Sequence, residues 1–504
     1  MKKTSAFLLA GALLLTGCSS RSVSQSPSES TGTPESTETA ERKEDVVLTL
    51  ALAYCDDNGF VNGTGRSPLE LIDRFNAEDN GVHIEIKSFW DGRDESGQAV
   101  GMTDEIQKQI DFQVTQELIN KDTIDIVGTF SFGNGAKFEI FKRKGGFVDL
   151  YKFMEDDPEV NRDTLNPHIL GLCERDGKLY SMPTYYSVHT MIGESQYVGT
   201  TRNWTIDEFI DRWNVMPEGS MVNHTVTAED IWYDVLRAND TAFIDYRNCE
   251  VHFDHPDFRK MLEFCKGFTS NMGQKQDDDI NYQRPNLVEQ YTIRGYNNAI
   301  YEDIDYARNT VDYPHLRDGK LTLVGFPSSD RSGAFISGVG MGGLAIRANI
   351  SEEKQEAAWK FIREFYREEY QLEKFAYADE YTNYENGKPA KYWNFLNGFP
   401  INNAARRQTA ERFMSGYYDN ENFELSVGRE PLEVLSENRI DQADCDYIDE
   451  YINSVDRWEY SDIDRELFWI VEEEVLAYLM GGQDIDKTID LIQNRASIWI
   501  SEQA

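Results

Sequence analysis

Gly338-x-Gly340-x-x-Gly343 has the spacing of a dinucleotide-binding turn, in which glycines let the backbone approach a pyrophosphate at a helix start. That chemistry needs a helix directly after the third glycine. Here Leu344-Ala345-Ile346, a strand-like run, follows, and no helix signal opens before Ser351. The glycines are therefore expected to allow close backbone approach and rotation. Cys249-x-x-His252-x-x-His255, with Cys265 ten residues on, offers zinc-type ligands. His255 directly precedes Pro256 at a helix start, however, and Cys265 falls nearly three turns into that helix. Packed thiols and surface histidines are expected, and no metal. The acidic groups Asp277–Asp279 and Asp441–Asp449 lack the glycine and ligand order of a calcium loop and read as solvated faces. Gly-x-Ser-x-Gly and His-Glu-x-x-His are both absent. Among 89 Asp and Glu, carboxylate pairs suited to glycan hydrolysis arise by coincidence, and none stands out. No cofactor is expected.

Aromatic content is the positive signal, with 9 Trp, 26 Tyr and 27 Phe. Sugar rings stack their C–H faces on aromatic rings, while their hydroxyls need fixed polar partners. Judged by position among the elements below, the candidates for such a cleft are Tyr54, Asp56, Trp90, Tyr185, Tyr186, Trp232, Asp303 and Trp393. Phe130, Ser131 and Gly338 follow.

The elements that must position them belong to a chain of 504 residues, long enough for two or three domains. It carries 50 basic and 89 acidic residues, a net of −39. Nucleic acid and bare anionic membrane repel such a surface. Residues 1–18 read as a targeting segment: Lys2 and Lys3, an apolar run from Ala6 to Leu15, then Leu15-Thr16-Gly17-Cys18. The apolar run is too short to span a bilayer. Cys55, Cys173, Cys249, Cys265 and Cys445 remain, an odd number with no disulfide framework. In 19–45, twelve of 27 residues are Ser or Thr, with almost nothing apolar, so this stretch is expected to be a disordered tether.

Order is expected from Val46. Val46–Leu52 reads as a buried strand, Pro68–Asn76 as an amphipathic helix, and Val82–Ile86 as a second strand. Asp104–Asn120 is a helix with Ile106, Ile110, Val114 and Leu118 on one stripe, and Thr123–Val127 a third strand. Strands alternating with helices predict an α/β fold with a largely parallel sheet, whose ligands meet the strands' carboxyl ends. Gly177 to His189 then reads as a turn and an extended aromatic segment. Thr205 with Glu208 is a capping box, Phe253–Phe268 a helix led by Pro256, and Leu321–Pro327 a strand. Phe335–Arg347 is a glycine-rich strand, and Ser351 caps one long helix to about Ala376. Ile463–Met480 and Asp486–Ile500 are closing helices.

Several stretches, in order and with consistent spacing, resemble extracellular solute-binding proteins of family 1, the carbohydrate-type receptors of ABC importers. They are LELIDRFNAEDNGVHIEI at 69–86, TIDIV at 123–127, GGFVDLYKFME at 145–155 and the Asp176–Tyr186 turn and strand. Asn203–Phe209, EAAWKFIREFYREEYQ at 356–371, Gly398–Asn403 and the last 31 residues to Glu502 continue the series. Leu15–Cys18 resembles a bacterial lipoprotein signal, whose cysteine is diacylated. The resemblance implies a periplasmic-binding-protein type II fold, two α/β lobes joined by a multi-strand hinge. It implies lobe one at 46–184 plus 340–398 and lobe two at 185–339 plus 399–504. The implied function is capture of a carbohydrate, an oligosaccharide, by hinge closure, with delivery to permease subunits in the membrane. The implied protein is a monomer without enzymatic activity, lipid-anchored through Cys18 on the outer face of the cytoplasmic membrane. A glycan-acting hydrolase and a receptor for another solute, such as a peptide, stay open as alternatives.

Overall fold

A computed structural model describes residues 45–53, 67–93, 101, 103–120, 123–128, 138, 141–222, 228–246, 248–267, 285–296, 319–339, 343–376, 378–382, 389–393, 398–415, 440–458 and 465–502. The signal, the tether as far as residue 44, Cys18 and Cys55 lie outside these residues. Residues from Asp45 onward form one compact unit.

The strands in chain order are β1 (Val46–Leu52), β2 (Val82–Ser88), β3 (Ile126–Gly128), β4 (Tyr185–Glu194), β5 (Ile244–Asp245), β6 (Glu250–Val251) and β7 (Glu289–Ile293). They continue with β8 (Leu321–Leu323), β9 (Phe335–Val339), β10 (Leu344–Ile346), β11 (Ala378–Thr382), β12 (Pro389–Trp393) and β13 (Phe399–Pro400). The expected α/β architecture is present, built on two principal sheets.

The first sheet has the order β10-β3-β1-β2. β1 runs parallel to both neighbours, and β10 is antiparallel, with Leu344 opposite Gly128. Alternation sends Leu48, Leu50 and Leu52 to one face and Ala51 to the other. Helices Ser67–Ala77 and Glu352–Ile362 cover the leucine face through Ile72, Phe75 and Phe361. Helix Asp104–Asn120 covers the other through Ile110, Val114 and Leu118, as its stripe predicts.

The second sheet is organised on β4, which pairs antiparallel with β7, β8, β9 and β13. Tyr186, Val188 and Ile192 face a core shared with the first sheet. Met191 faces a separate core built with helices Ala228–Ala238, Pro256–Lys266, Arg465–Leu479 and Ile485–Glu502. Among the described residues no helix is long and apolar enough to cross a membrane.

Three sequence expectations need correction. The stretch Phe335–Arg347 is two strands in two sheets, because the chain leaves the second sheet at Val339 and joins the first at Leu344. The long helix from Ser351 breaks at Arg367, whose ψ of 144° is extended, after a 3-10 turn over Arg363–Tyr366. Asp277–Asp279 lie outside the described residues, and Asp441–Asp449 is a solvated face only in part, at Asp441 and Asp446. Asp441 and Asp444 form a capping box opening the helix Gln442–Asn453, Asp444 is buried, and Asp449 accepts from Tyr296 and Arg406. The expected caps at Thr205 and Ser351 are present, each side chain accepting from the third helical N–H at 3.2 Å.

Candidate binding site where the two sheets meet

Among the described residues the chain passes between the sheets at three places, and the passages converge. The first runs through Met182-Pro183-Thr184 into β4. The second leaves β9 at Val339 and reaches β10 at Leu344, a span of at most about 18 Å. Leu344 lies opposite the last residue of β3, and Val339 opposite the first of β4. The carboxyl edge of the first sheet therefore faces the amino end of β4. The third passage is β13, where Phe399 and Pro400 pair with Tyr186 and Tyr185.

The break at Arg367 places Gln371, fully buried, at the centre of these passages. Its Nε2 donates to the carbonyls of Thr184 at 2.9 Å and Phe365 at 3.2 Å. Its Oε1 accepts from the Asn402 N–H at 2.9 Å. Tyr366 Oη donates to the Met182 carbonyl at 2.7 Å, and Gly343 N donates to the same carbonyl at 2.8 Å. All three passages are thus bonded to one another or to helix Glu368–Ala376. At Gly398 a Cβ would sit 2.9 Å from the Tyr186 carbonyl oxygen, so only glycine lets the third passage approach so closely.

Tyr185 and Tyr186 lie at this junction with their rings enclosed. Tyr185 Oη donates to the Gln371 carbonyl at 3.3 Å. Tyr186 stacks on Phe399, and its Oη accepts from Asn166 Nδ2 at 3.2 Å. Burial raises the Tyr186 phenol above its ordinary pKa, against Arg406 and Asn166, which pull it down. Nearby, Asp449 accepts from Tyr296 at 2.7 Å and Arg406 at 2.6 Å.

On the face of β4 opposite Tyr186, Ser187 and His189 meet Ser337 of β9. His189 Nε2 lies 2.7 Å from Ser337 Oγ and 3.3 Å from Ser187 Oγ. Its Nδ1 is 3.3 Å from Thr292 Oγ1 of β7. The ring stacks on Phe335. Burial, reinforced by Arg237 and Arg294, lowers its pKa to about 4, so it is neutral at ordinary pH.

Contacts among the described residues also join the outer layers of the two sheets. Lys108 Nζ stands 3.7 Å from the Trp469 ring centroid, between helices Asp104–Asn120 and Arg465–Leu479. Arg143 reaches Cys249 Sγ, 3.8 Å away, in the β5–β6 turn. Lys108 sits early in a helix that follows β2, hence near the strands' carboxyl ends.

Of the other candidates, Gly338 lies opposite Tyr186. Trp90 is half-buried just past β2, packing on the first sheet's second core, with Nε1 donating to the Arg93 carbonyl at 3.3 Å. Trp232 lies apart, buried in the second sheet's own core and stacked on Phe468, with its Nε1 unbonded. Tyr54, Asp56, Phe130, Ser131 and Asp303 lie outside the described residues, as does the side chain of Trp393. Sequence reasoning missed Gln371, Asn402, His189, Ser337 and Lys108. Only Asn166, which caps the helix opened by Pro167, carried a local signal.

The zinc-type residues have other partners. His255 caps its helix by accepting from the Asp257 N–H at 3.2 Å, and Cys265 is enclosed in the core. Among the described residues no cluster of His, Cys, Asp or Glu could hold a metal ion. After Gly343 comes β10, without a helix.

No family model matches the chain, and no curated protein matches it. Solved structures share its outline. The sugar-binding protein MalE of Xanthomonas citri is 12% identical, covers 91% of this chain and 98% of its own, and superposes with a TM-score of 0.49. A family 1 extracellular solute-binding protein of Alicyclobacillus acidocaldarius is 12% identical over 91% of this chain and 99% of its own, with a TM-score of 0.47. A solute-binding protein of Agrobacterium radiobacter in complex with ribitol is 16% identical over 91% and 99%, also with a TM-score of 0.47.

Proposed function

We propose that this chain is the solute-capturing component of an ABC-type importer, taking a carbohydrate between two lobes that rotate about the three passages. The observation that carries the reading is the junction itself. Two sheets with separate outer helical layers are joined through strands bonded around one buried glutamine. A connection built of few extended segments permits rotation of two bodies without unfolding either. The ordered series of family-like stretches in the sequence supports the same reading, as does the aromatic content. Lobe one comprises 46–184 plus 340–398 and lobe two 185–339 plus 399–504. Trp90, Gly338 and the hydroxyl and imidazole groups on β4 and β9 line the ligand space. Contacts Lys108–Trp469 and Arg143–Cys249 latch the closed form.

Capture involves no covalent chemistry. The protein works as a monomer, anchored through diacylated Cys18, with the 19–45 tether holding it near the permease. Calorimetric titration of the full chain against mono- and oligosaccharides, with product analysis of the same samples, tests this. Saturable binding with the glycan recovered intact is expected. Cleaved glycan would replace the reading with a hydrolase, and binding of peptides alone would replace the ligand class. Mass analysis of the N-terminal peptide tests the anchor, because an unmodified Cys18 in membrane-derived protein removes it.

A further inference from the structure

The first sheet ends at β2, which pairs with β1 on one side and, among the described residues, with no strand on the other. Alternate residues of a strand point their N–H and C=O to opposite sides. Val46 N donates to the Gly81 carbonyl at 2.9 Å, and Phe89 N to the Leu52 carbonyl at 3.2 Å. The odd-numbered residues of β2 therefore turn toward β1, and Val82, Ile84 and Ile86 turn outward. Such an edge is a template for another strand. Two asparagines occupy it. Asn76, the last residue but one of helix Ser67–Ala77, accepts at Oδ1 from the Ile84 N–H at 2.8 Å. Its Nδ2 donates to the Ile84 carbonyl at 2.9 Å. Asn80 Oδ1 accepts from the Val82 N–H at 2.9 Å, while its Nδ2 donates to the Phe75 carbonyl at 2.6 Å and ties it to the helix end.

The Asn76 carboxamide makes the two bonds that a residue of a neighbouring strand would make with Ile84. Water would satisfy these groups as well, but water does not keep another strand away. The edge is also self-complementary in sequence. A second copy laid antiparallel, with Ile84 opposite Ile84, sets Val82 against Ile86 and His83 against Glu85, each twice by symmetry. Apolar residues then meet apolar ones, and each imidazole meets a carboxylate. The hydrogen-bonded positions of that ladder are Ile84 and the Val82–Ile86 pairs, and Ile84 is the centre that Asn76 holds.

We propose that the outer edge of β2 is a pairing surface for a second copy of this chain, held closed by Asn76. With the carboxamide in place a two-fold ladder has no centre. The net charge of −39 adds repulsion between copies.

The test compares the full chain and its variants, prepared alike, by sedimentation over a range of concentrations and by hydrogen exchange at single amides. In wild type the Ile84 amide should be protected about as well as that of Glu85, which turns toward β1. Exchange of Ile84 at the rate of an unfolded chain would overturn the clamp, whatever the variants do. Asn76→Ala should associate about tenfold or more tightly than wild type, well below its melting temperature, with Ile84 protected again as concentration rises. Asn76→Asp keeps the acceptor and sets a negative charge beside the edge, so it should stay as dispersed as wild type. Melting temperatures confirm that both variants fold. A folded Asn76→Ala that associates no more than wild type would overturn the proposal and leave Asn76 as an anchor between helix and strand. Equal association of the two variants, following their loss of stability, would also overturn it.

Discussion

Gln371 donates to the Thr184 carbonyl at 2.9 Å, and through this bond helix Glu368–Ala376 holds the strand that enters the second sheet. The same side chain accepts from Asn402 on the third passage. Gln371→Leu keeps the volume but leaves the Asn402 N–H and the Gln-side donors' carbonyl partners short of bonds in an enclosed place. A loss of about 1–3 kcal/mol is expected in urea unfolding. Ligand affinity should fall as well, because the passages lose their common anchor. Wild-type stability together with wild-type affinity would show that the junction does not depend on this residue.

Lys108 and Trp469 join the helical layers by a cation–π contact of 3.7 Å. Lys108→Ala should weaken ligand binding about two- to fivefold, the worth of an exposed contact of this kind at about 0.5–1 kcal/mol. The unfolding free energy should stay within about 0.5 kcal/mol, because Lys108 covers no core. Small-angle scattering of the ligand-free variant should report a larger radius of gyration. An unchanged radius and affinity would remove the contact from any role in closure.

His189 should make stability fall with acid. Burial, with Arg237 and Arg294, lowers its folded pKa to about 4 from an ordinary 6.5. Between these values the unfolded chain binds a proton that the folded chain refuses. The folded state is therefore favoured above pH 6.5 and loses that advantage as pH drops toward 4, by up to about 3 kcal/mol. Other groups titrate in this window, so the readout is the difference between wild type and His189→Gln. The variant should show a shallower slope, and parallel slopes would mean that His189 titrates normally.

Asp449 holds Arg406, a largely enclosed guanidinium, at 2.6 Å and also accepts from Tyr296. Asp449→Asn should destabilise the chain by about 2–3 kcal/mol, since it leaves a positive charge under-compensated. Replacing both residues, Arg406→Leu with Asp449→Leu, should cost less than the sum of the single changes. Additive losses in the double-mutant cycle would show that the pair is uncoupled.

Gly398 tolerates no Cβ, because the Tyr186 backbone lies within 3 Å of where it would stand. Gly398→Ala should displace β13 and lower the melting temperature by about 1–3 °C, from about 1–3 kcal/mol of overpacking strain. A crystal structure of the variant with β13 still paired to β4 and an unchanged melting temperature would refute this.

What could be read from residue order alone was local. The buried apolar run of β1, the stripe on Asp104–Asn120 and the caps at Thr205 and Ser351 specify elements through neighbours a few residues apart, and the structure contains them. Glycine spacing followed by a strand-like run likewise argued against a nucleotide turn, and β10 stands there. The role of a side chain was not local. Tyr185 and Tyr186 look like ligand-gripping aromatics in sequence, yet Phe399, Gln371 and Asn166 enclose them from distant positions. Gln371 shows nothing in sequence beyond a polar residue in a helix; its partner Thr184 stands 187 residues away. Asp449 sits in an acidic run that suggests solvent, and the fold turns it to Arg406 and Tyr296. Element type follows from short-range backbone and side-chain preferences, which a sequence carries openly. Burial and hydrogen-bond partnership depend on which distant segments the fold brings to the same few ångströms, and only the tertiary structure decides that.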